Sequence, residues 1–183
     1  LESVPQAVSY LKQHKGYEDL FEGYNEADLH RGQIEKMLRL TVYRDFSKLY
    51  RFANVEQRKF LALYFKRYEV SVIKECLNTV FDHRDVVLNL SIFDEFFNKH
   101  SQLDINLLAS SRTIEELIAN LKGTEYYAPL SQLADIERPT LFDYEMTLDL
   151  YYFAQMWKDR SKVVTKRDLE ELTAAWGSKF DML

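Results

Sequence analysis

The chain has 183 residues, of which 46% are hydrophobic and 29% charged, and its formal net charge is −5. This length suits one globular domain or two small ones, and the mildly acidic balance disfavours a nucleic-acid-binding surface or a polybasic membrane-binding patch. Glycine and proline number only 5 and 3, too few turn formers for a sandwich or a barrel, so the composition predicts long helices with few connections.

The first half of the chain is predicted to be helical, because its apolar residues recur at steps of three and four. The predicted elements are, in chain order, a short helix over 4–12, an apolar turn over 17–21, a long helix over 28–52 and a second long helix that Asn54 caps. The polar stretch 81–90 then breaks the pattern. It is predicted to separate two domains, 1–82 and 91–183.

The second half is predicted to hold short helices followed by another long one. Thr113 and Glu116 have the Thr-x-x-Glu spacing of a capping box, and Gly123 ends the helix that they open. The predicted elements are short helices over 91–98 and 105–109, a helix over 113–122, a turn over 126–133, a long helix over 139–158, and a last helix capped by Thr165 that contains Leu169, Leu172, Trp176 and Phe180.

The sequence contains none of the motifs that mark common catalytic or cofactor sites. Its five glycines lack the spacing of a phosphate-binding loop. No histidine has the Glu-x-x-His spacing of a helical di-metal site, and one cysteine cannot form a zinc knuckle. We therefore predict no catalytic residues, no cofactor-binding or metal-binding residues, no cofactor and no small-molecule ligand.

Three weaker groups of polar or reactive residues have ordinary structural interpretations. Glu26 and His30 stand four residues apart, which fits an exposed pair near the start of a helix. The segment 82–85, Asp-His-Arg-Asp, fits a solvated turn. Cys76 lies on an apolar helical stripe, where a buried and inert thiol is favoured over a nucleophile. A lone cysteine also fits a cytosolic protein.

The chain repeats its own pattern at an offset of 110 residues, as from Tyr17 to Tyr127 and from Glu35 to Glu145. The order of elements repeats as well: a short helix, an aromatic turn, a long helix and a capped helix. The simplest interpretation is a helical module in tandem, with the second copy truncated in its last helix. We expect the matched tyrosines and glutamates to fix the packing of the modules, since a buried Glu needs a hydrogen-bond donor.

Four segments resemble a known family. Residues 113–127, TIEELIANLKGTEYY, are similar to the repeat signature of the C-type subunit of A-type and V-type rotary ATPases, which is called d in eukaryotes. In that signature a Glu-Glu-Leu helix is followed by Gly-Thr and Tyr, and a later long helix carries a Glu, as 144–148 does here. Residues 67–74, RYEVSVIK, resemble the aromatic and acidic segment that follows each module, and 179–182 resemble its second occurrence.

The resemblance implies an all-α fold of long antiparallel helices, in which this chain is a fragment of a funnel of three pseudo-repeated modules. It implies a non-catalytic component of the ATPase, peripheral on the cytoplasmic face of the membrane. Its partners would be the rotor ring of membrane proteolipid subunits and the shaft subunits of the central stalk, and it would support ATP-driven proton or sodium transport or ATP synthesis. The alternative is a generic helical-repeat adaptor that binds a protein partner.

Overall fold

The computed structural model describes residues 3–82 and 89–163, which form helices and no strand, so the predicted all-α fold is confirmed. The α-helices of these residues are, in chain order, α1 (Val4–Lys12), α2 (Arg31–Phe52), α3 (Val55–Phe81), α4 (Asp94–His100), α5 (Ile105–Ser110), α6 (Ile114–Asn120), α7 (Tyr127–Ser131) and α8 (Leu141–Val163). The chain divides into two compact units, Leu1–Phe52 and Ala53–Leu183.

The first unit has a small apolar core. Its helix α1 begins where the Ser3 side chain accepts a hydrogen bond from the backbone N–H of Gln6. The predicted apolar turn forms a 3₁₀ helix, Glu18–Phe21, between two glycines with positive φ. The buried residues of this core are Val8, Leu20, Phe21, Leu29, Ile34 and Met37. This turn therefore supplies two core side chains, Leu20 and Phe21.

In the second unit, α3 begins at the predicted cap. The Asn54 side chain accepts a hydrogen bond from the Gln57 N–H at 2.9 Å, and the Gln57 side chain accepts one from the Asn54 N–H at 2.9 Å, which completes a capping box. The helix has 27 residues, so it is about 40 Å long. Its fully buried side chains include Val72, Ile73 and Leu77.

Helices α3 and α8 pack together in antiparallel orientation. The rings of Phe81 and Tyr144 lie 5.7 Å apart. Lys74 Nζ lies 2.6 Å from Asp149 Oδ2, so residue numbers fall along α3 as they rise along α8. On α8, Leu148 is fully buried and stands one helical turn after the buried Tyr144. This face of α8 is therefore the one that packs in the core.

The short helices of the second unit carry a cluster of aromatic rings to α3. Phe65 of α3 lies 5.1 Å from Phe96, 5.7 Å from Phe97 and 5.5 Å from His100, measured between ring centroids. The predicted cap of α6 is present, because the Thr113 hydroxyl accepts from the Glu116 N–H at 3.2 Å. The Glu116 carboxylate, however, accepts from the Arg112 N–H and not from Thr113, so the capping box is incomplete.

The compact units divide between Phe52 and Ala53, whereas the predicted modules meet at 83–90. The reason is that α3 packs against α8 and so belongs with the residues that follow it. The tandem modules 1–82 and 91–183 stay a prediction. The segment 83–88 and the predicted last helix, from Thr165 through Leu169, Leu172, Trp176 and Phe180, lie outside the described residues.

Candidate functional site

A buried carboxyl group joins three parts of the second unit. Glu69 of α3 is 8% exposed. It accepts a hydrogen bond from the Tyr126 hydroxyl at 2.6 Å and another from the Ser101 hydroxyl. Ser101 Oγ also accepts from the Leu103 N–H at 3.0 Å. The Glu69 side chain thus connects α3 to Ser101, which lies between α4 and α5, and to Tyr126, which precedes α7.

The turn between α6 and α7 presents Tyr126 to this carboxyl. Gly123 adopts a φ of +90°, a backbone conformation that favours glycine because it has no Cβ. The Thr124 hydroxyl then donates to the Leu121 carbonyl at 2.7 Å and accepts from the Tyr126 N–H at 3.3 Å. The Gly-Thr-x-Tyr pattern therefore has a local physical cause: it forms the turn that positions Tyr126.

Burial sets the protonation behaviour of the pair. Loss of hydration raises the pKa of Glu69, and the hydrogen bonds from Ser101 and Tyr126 oppose that shift. Burial, together with the charge of the Glu69 carboxyl, also raises the pKa of Tyr126 well above its ordinary value. The Tyr126 hydroxyl consequently keeps its proton and acts as the donor to Glu69.

A cleft of about 260 Å³ adjoins the carboxyl. Lys66 and Glu125 form an ion pair at its edge, and the Tyr151 hydroxyl of α8 donates to Glu125 Oε2 at 3.0 Å. His100 also lines the cleft, and burial lowers the pKa of its ring. These contacts extend the polar network from α3 to α8.

Further polar contacts join α3 and α8 beyond this cleft. The Asn78 side chain donates to Glu145 Oε1 at 2.8 Å, close to the pair that Lys74 makes with Asp149. Glu35, which the repeat matches with Glu145, instead pairs with Arg31 of its own helix at 2.7 Å. The two glutamates therefore differ in surroundings, and Glu145 is the one that bridges two helices.

The matched tyrosines also differ in surroundings. Tyr17 packs against the apolar core of the first unit. Tyr127, at the start of α7, is half-buried, and Lys122 Nζ lies 6.0 Å from its ring centroid, which is the outer limit for an attraction between a cation and an aromatic ring. The buried tyrosine of this turn is its neighbour, Tyr126.

The structure does not bring Glu26 and His30 together. Glu26 accepts hydrogen bonds from Ser9 Oγ and Lys12 Nζ, each at 2.8 Å, and these contacts, led by that of Lys12, lower its pKa. His30 is exposed. Asp82 follows the last residue of α3, as a turn residue would.

Cys76 is 2% exposed, as predicted. Burial raises the pKa of its thiol to about 12, so the reactive thiolate form is strongly disfavoured near neutral pH. Within 3–82 and 89–163 the structure contains no group of three or more His, Cys, Asp or Glu side chains that could hold a metal ion. Among these same residues no helix is both long enough and apolar enough to cross a membrane.

Comparison with known proteins identifies the family. The ATP synthase (C/AC39) subunit family matches residues 1–183. The chain belongs to this family. The C-type subunit of the A-type ATP synthase of Methanosarcina mazei is 27% identical over 169 residues, which are 88% of this chain and 44% of that protein. The chain therefore spans less than half the length of this relative. No solved structure matches the present chain.

The family assignment confirms the resemblance drawn from residues 67–74 and 113–127. The structure brings these two segments into contact, because Glu69 comes from the first and Tyr126 from the second. Two residues of this network, Lys66 and Ser101, were not predicted from the sequence. Lys66 lies one residue before the first segment, and nothing in the sequence around Ser101 marks a contact with a residue 32 positions away.

Replacing Gly123 with Ala is expected to destabilise the protein by about 1–2 kcal/mol, because an L-residue is strained at positive φ. Gly32 is the matched control, since it lies inside α2 with an ordinary φ and with open space where a Cβ would be. Gly32→Ala should be neutral or stabilise by up to about 1 kcal/mol. Urea denaturation of both variants measures the two changes, and a Gly123→Ala protein as stable as the wild type would contradict the role assigned to this turn.

Proposed function

We propose that this chain is a non-catalytic structural part of a rotary ATPase of the A or V type, and that it couples the central stalk to the membrane rotor ring. The family match over residues 1–183 is the observation that carries the proposal. In this role the chain contributes to ATP-driven proton or sodium transport, or to ATP synthesis, and lies at the cytoplasmic face of the membrane. Its partners are the proteolipid ring and the shaft subunits of the stalk.

The architecture of the second unit supports a mechanical role. Helices α3 and α8 are cross-connected at successive levels by Asn78 with Glu145, by Lys74 with Asp149, and through Glu125 by Lys66 and Tyr151. Side chains that join two close-packed helices at several levels oppose sliding of one helix along the other. Resistance to sliding is the property needed in a part that transmits torque between partners.

The buried carboxyl supports the same role. Glu69 is enclosed, and both of its oxygens accept hydrogen bonds from side chains of other segments. A group held in this way fixes the arrangement of the segments that contact it, at the cost of removing a carboxyl from water. This use of a carboxyl is structural, because its oxygens are already engaged within the protein.

A binding experiment tests the proposal. Purified proteolipid rings in detergent and purified central-stalk subunits are immobilised separately, and the tagged chain is passed over each. We expect both surfaces to retain the chain, and excess untagged chain to displace it. We also expect no ATP hydrolysis by the chain alone. Retention by neither surface would contradict the proposal, and selective retention of unrelated helical peptides would favour the adaptor alternative.

A further inference from the structure

Helix α8 carries an apolar row on its exposed side, and a charged residue stands at each end of the row. The four apolar side chains, which are between 39% and 63% exposed, are Met146, Leu150, Phe153 and Trp157. Their alternating steps of four and three extend to Asp143 at one end and to Arg160 at the other, which is the spacing of a heptad seam. We call these four residues, together with Asp143 and Arg160, the outer seam.

The outer seam faces away from the core of the second unit. At about 100° per residue, its six positions cover only about 100° of the helix surface. Tyr144 and Leu148, which are buried, lie on the opposite side of α8. The polar contacts of α8 with α3 are made by Glu145 and Asp149, which lie outside the seam. The apolar part of the seam is therefore not used by the packing of α8 on α3.

The two charged ends of the seam are held by contacts within the chain. Asp143 Oδ2 accepts hydrogen bonds from the hydroxyl and the backbone N–H of Thr140, each at 2.7 Å. These bonds lower the pKa of Asp143, so its carboxyl is charged near neutral pH. The Arg160 guanidinium lies over the ring of Trp157, 3.8 Å from the ring centroid. A negative and a positive charge thus stand at the two ends of the apolar row, about 25 Å apart.

Two copies of the seam match each other in antiparallel orientation. A two-fold axis level with the midpoint of residues 151 and 152 places Leu150 opposite Phe153 of the second copy, and Met146 opposite Trp157. Each apolar residue of one copy then meets an apolar residue of the other, and each contact occurs twice because the pair is symmetric. The apolar row is self-complementary in this register.

The charges of the seam select this orientation. The same axis places Asp143 opposite Arg160 of the second copy, at both ends of the contact. A parallel pair would instead bring Asp143 to Asp143 and Arg160 to Arg160, where like charges repel. The charge pattern therefore complements a second copy of the chain in the antiparallel orientation and opposes the parallel one.

The exposed apolar surface is large enough for a weak dimer. Phe142 lies beside the seam, is 64% exposed and enlarges this surface. With about 150–250 Å² for a whole aromatic side chain, the seam and Phe142 expose roughly 500 Å² of apolar surface in each copy. A pair of copies would bury about 1,000 Å² in total, which is the lower limit for a specific interface. A contact of this size indicates a reversible dimer.

We propose that the outer seam is the surface through which two copies of this chain pair, antiparallel and about a two-fold axis. The four apolar residues form the centre of the contact, and Asp143 pairs with Arg160 of the second copy at each end. The contact needs no other protein, so it goes beyond the proposed role in a rotary ATPase and can fail separately from it. A second copy is favoured over other occupants because the seam complements itself in apolar register and in charge.

Sedimentation equilibrium of the full chain tests the proposal. We expect the wild type to change from monomer to dimer as its concentration rises, with a dissociation constant on the order of 10 μM. Leu150→Asp should weaken the dimer roughly a hundredfold, because the symmetric contact buries the introduced charge twice. Leu49→Asp is the matched control: both leucines are 63% exposed, but Leu49 lies in α2, so its replacement should leave the dissociation constant unchanged.

Two results of this measurement overturn the proposal. The first is a wild-type chain that stays monomeric at about 200 μM. The second is equal weakening of the dimer by Leu150→Asp and Leu49→Asp, which would place the contact elsewhere. Far-ultraviolet circular dichroism checks that both variants are folded, as expected for substitutions at exposed positions.

Cysteine cross-linking tests the orientation. In the antiparallel pair, residue 146 of one copy lies beside residue 157 of the other, whereas the two copies of residue 146 are about 16 Å apart along the helix axis. A mixture of Met146→Cys and Trp157→Cys chains should therefore form disulfides between chains under mild oxidation, and neither variant alone should. Cys76 is 2% exposed and should not react. No disulfide in the mixture, or equal yields from one variant alone, overturns the antiparallel pair.

The thiol introduced by Met146→Cys also separates the other occupants. Its reaction with a maleimide should slow as the concentration of the chain rises, because the dimer covers it. Slow reaction that does not depend on concentration overturns the proposal and indicates cover by the same chain. Slow reaction only after ring or stalk subunits are added overturns it as well, and indicates another protein of the complex.

Discussion

Replacing Tyr126 with Phe should lower the free energy of unfolding by about 1–3 kcal/mol, because the change leaves a buried carboxyl without one of its donors. The hydroxyl that is removed donates to Glu69 Oε2 at 2.6 Å. Tyr24 offers a matched control, since it is 53% exposed and Tyr24→Phe should change stability by less than about 0.5 kcal/mol. Urea denaturation followed by circular dichroism measures both, and equal effects at the two positions would contradict the importance of this hydrogen bond.

The buried carboxyl should also make the free energy of unfolding depend on pH, and the Glu69→Gln variant should reveal this dependence. Burial raises the pKa of Glu69 in the folded protein above its value in the unfolded chain. The protonated Glu69 carboxyl therefore contributes stability that is fully present below the pKa of this group in the unfolded chain. That contribution is lost as the pH rises through the pKa of Glu69 in the folded protein. The free energy of unfolding of the wild type, minus that of Glu69→Gln, should be largest in acid and decrease with rising pH. A difference that increases with pH would contradict the raised pKa.

Replacing Leu148 with Ala should destabilise the second unit by about 2–5 kcal/mol, because it opens a cavity at a fully buried position of α8. Leu49 of α2 is the matched control: it is 63% exposed, and Leu49→Ala should change stability by less than about 0.5 kcal/mol. Urea denaturation compares the two variants. Leu148→Ala would contradict the assigned packing if it were as mild as Leu49→Ala.

Hydrogen exchange locates the effect of Leu148→Ala within the chain. Because Leu148 lies in the second compact unit, the amide protons of α3 and α8 should exchange faster in this variant. The amide protons of α1 belong to the first unit and should keep their wild-type rates. Equal acceleration in α1 would show that the two units unfold together.

The long helices could be predicted from the sequence because each carries a sustained apolar period. The structure places α2 at Arg31–Phe52 and α3 at Val55–Phe81. The sequence predicts a helix over 28–52 and a second helix capped by Asn54. The predicted start of α2 is three residues too early, because Asp28 belongs to a separate 3₁₀ turn, Glu26–Asp28. The cap of α3 was predictable because Asn54 bonds to the backbone three residues away, within one short stretch of sequence.

The pairing of α3 with α8 could not be predicted in the same way. Periodicity shows which side of a helix is apolar, but it carries no information on which other helix covers that side. From its sequence, α3 is consequently assigned to the first predicted module, 1–82. Its residues Asn78 and Lys74, however, contact Glu145 and Asp149, which lie 67 and 75 positions later in the chain. The contact between Glu69 and Ser101 is missed for the same reason, since a distant hydroxyl leaves no local pattern.

The separation between α3 and α8 has a consequence during synthesis on the ribosome. Lys74 is translated 75 residues before Asp149, an interval of roughly 4–15 s at common elongation rates of about 5–20 residues per second. Throughout that interval the nascent α3 lacks α8, the helix that later packs against it through Lys74, Asn78 and Phe81. We therefore expect chaperones that bind exposed apolar segments to associate with the growing polypeptide at this stage and to release it once α8 has emerged.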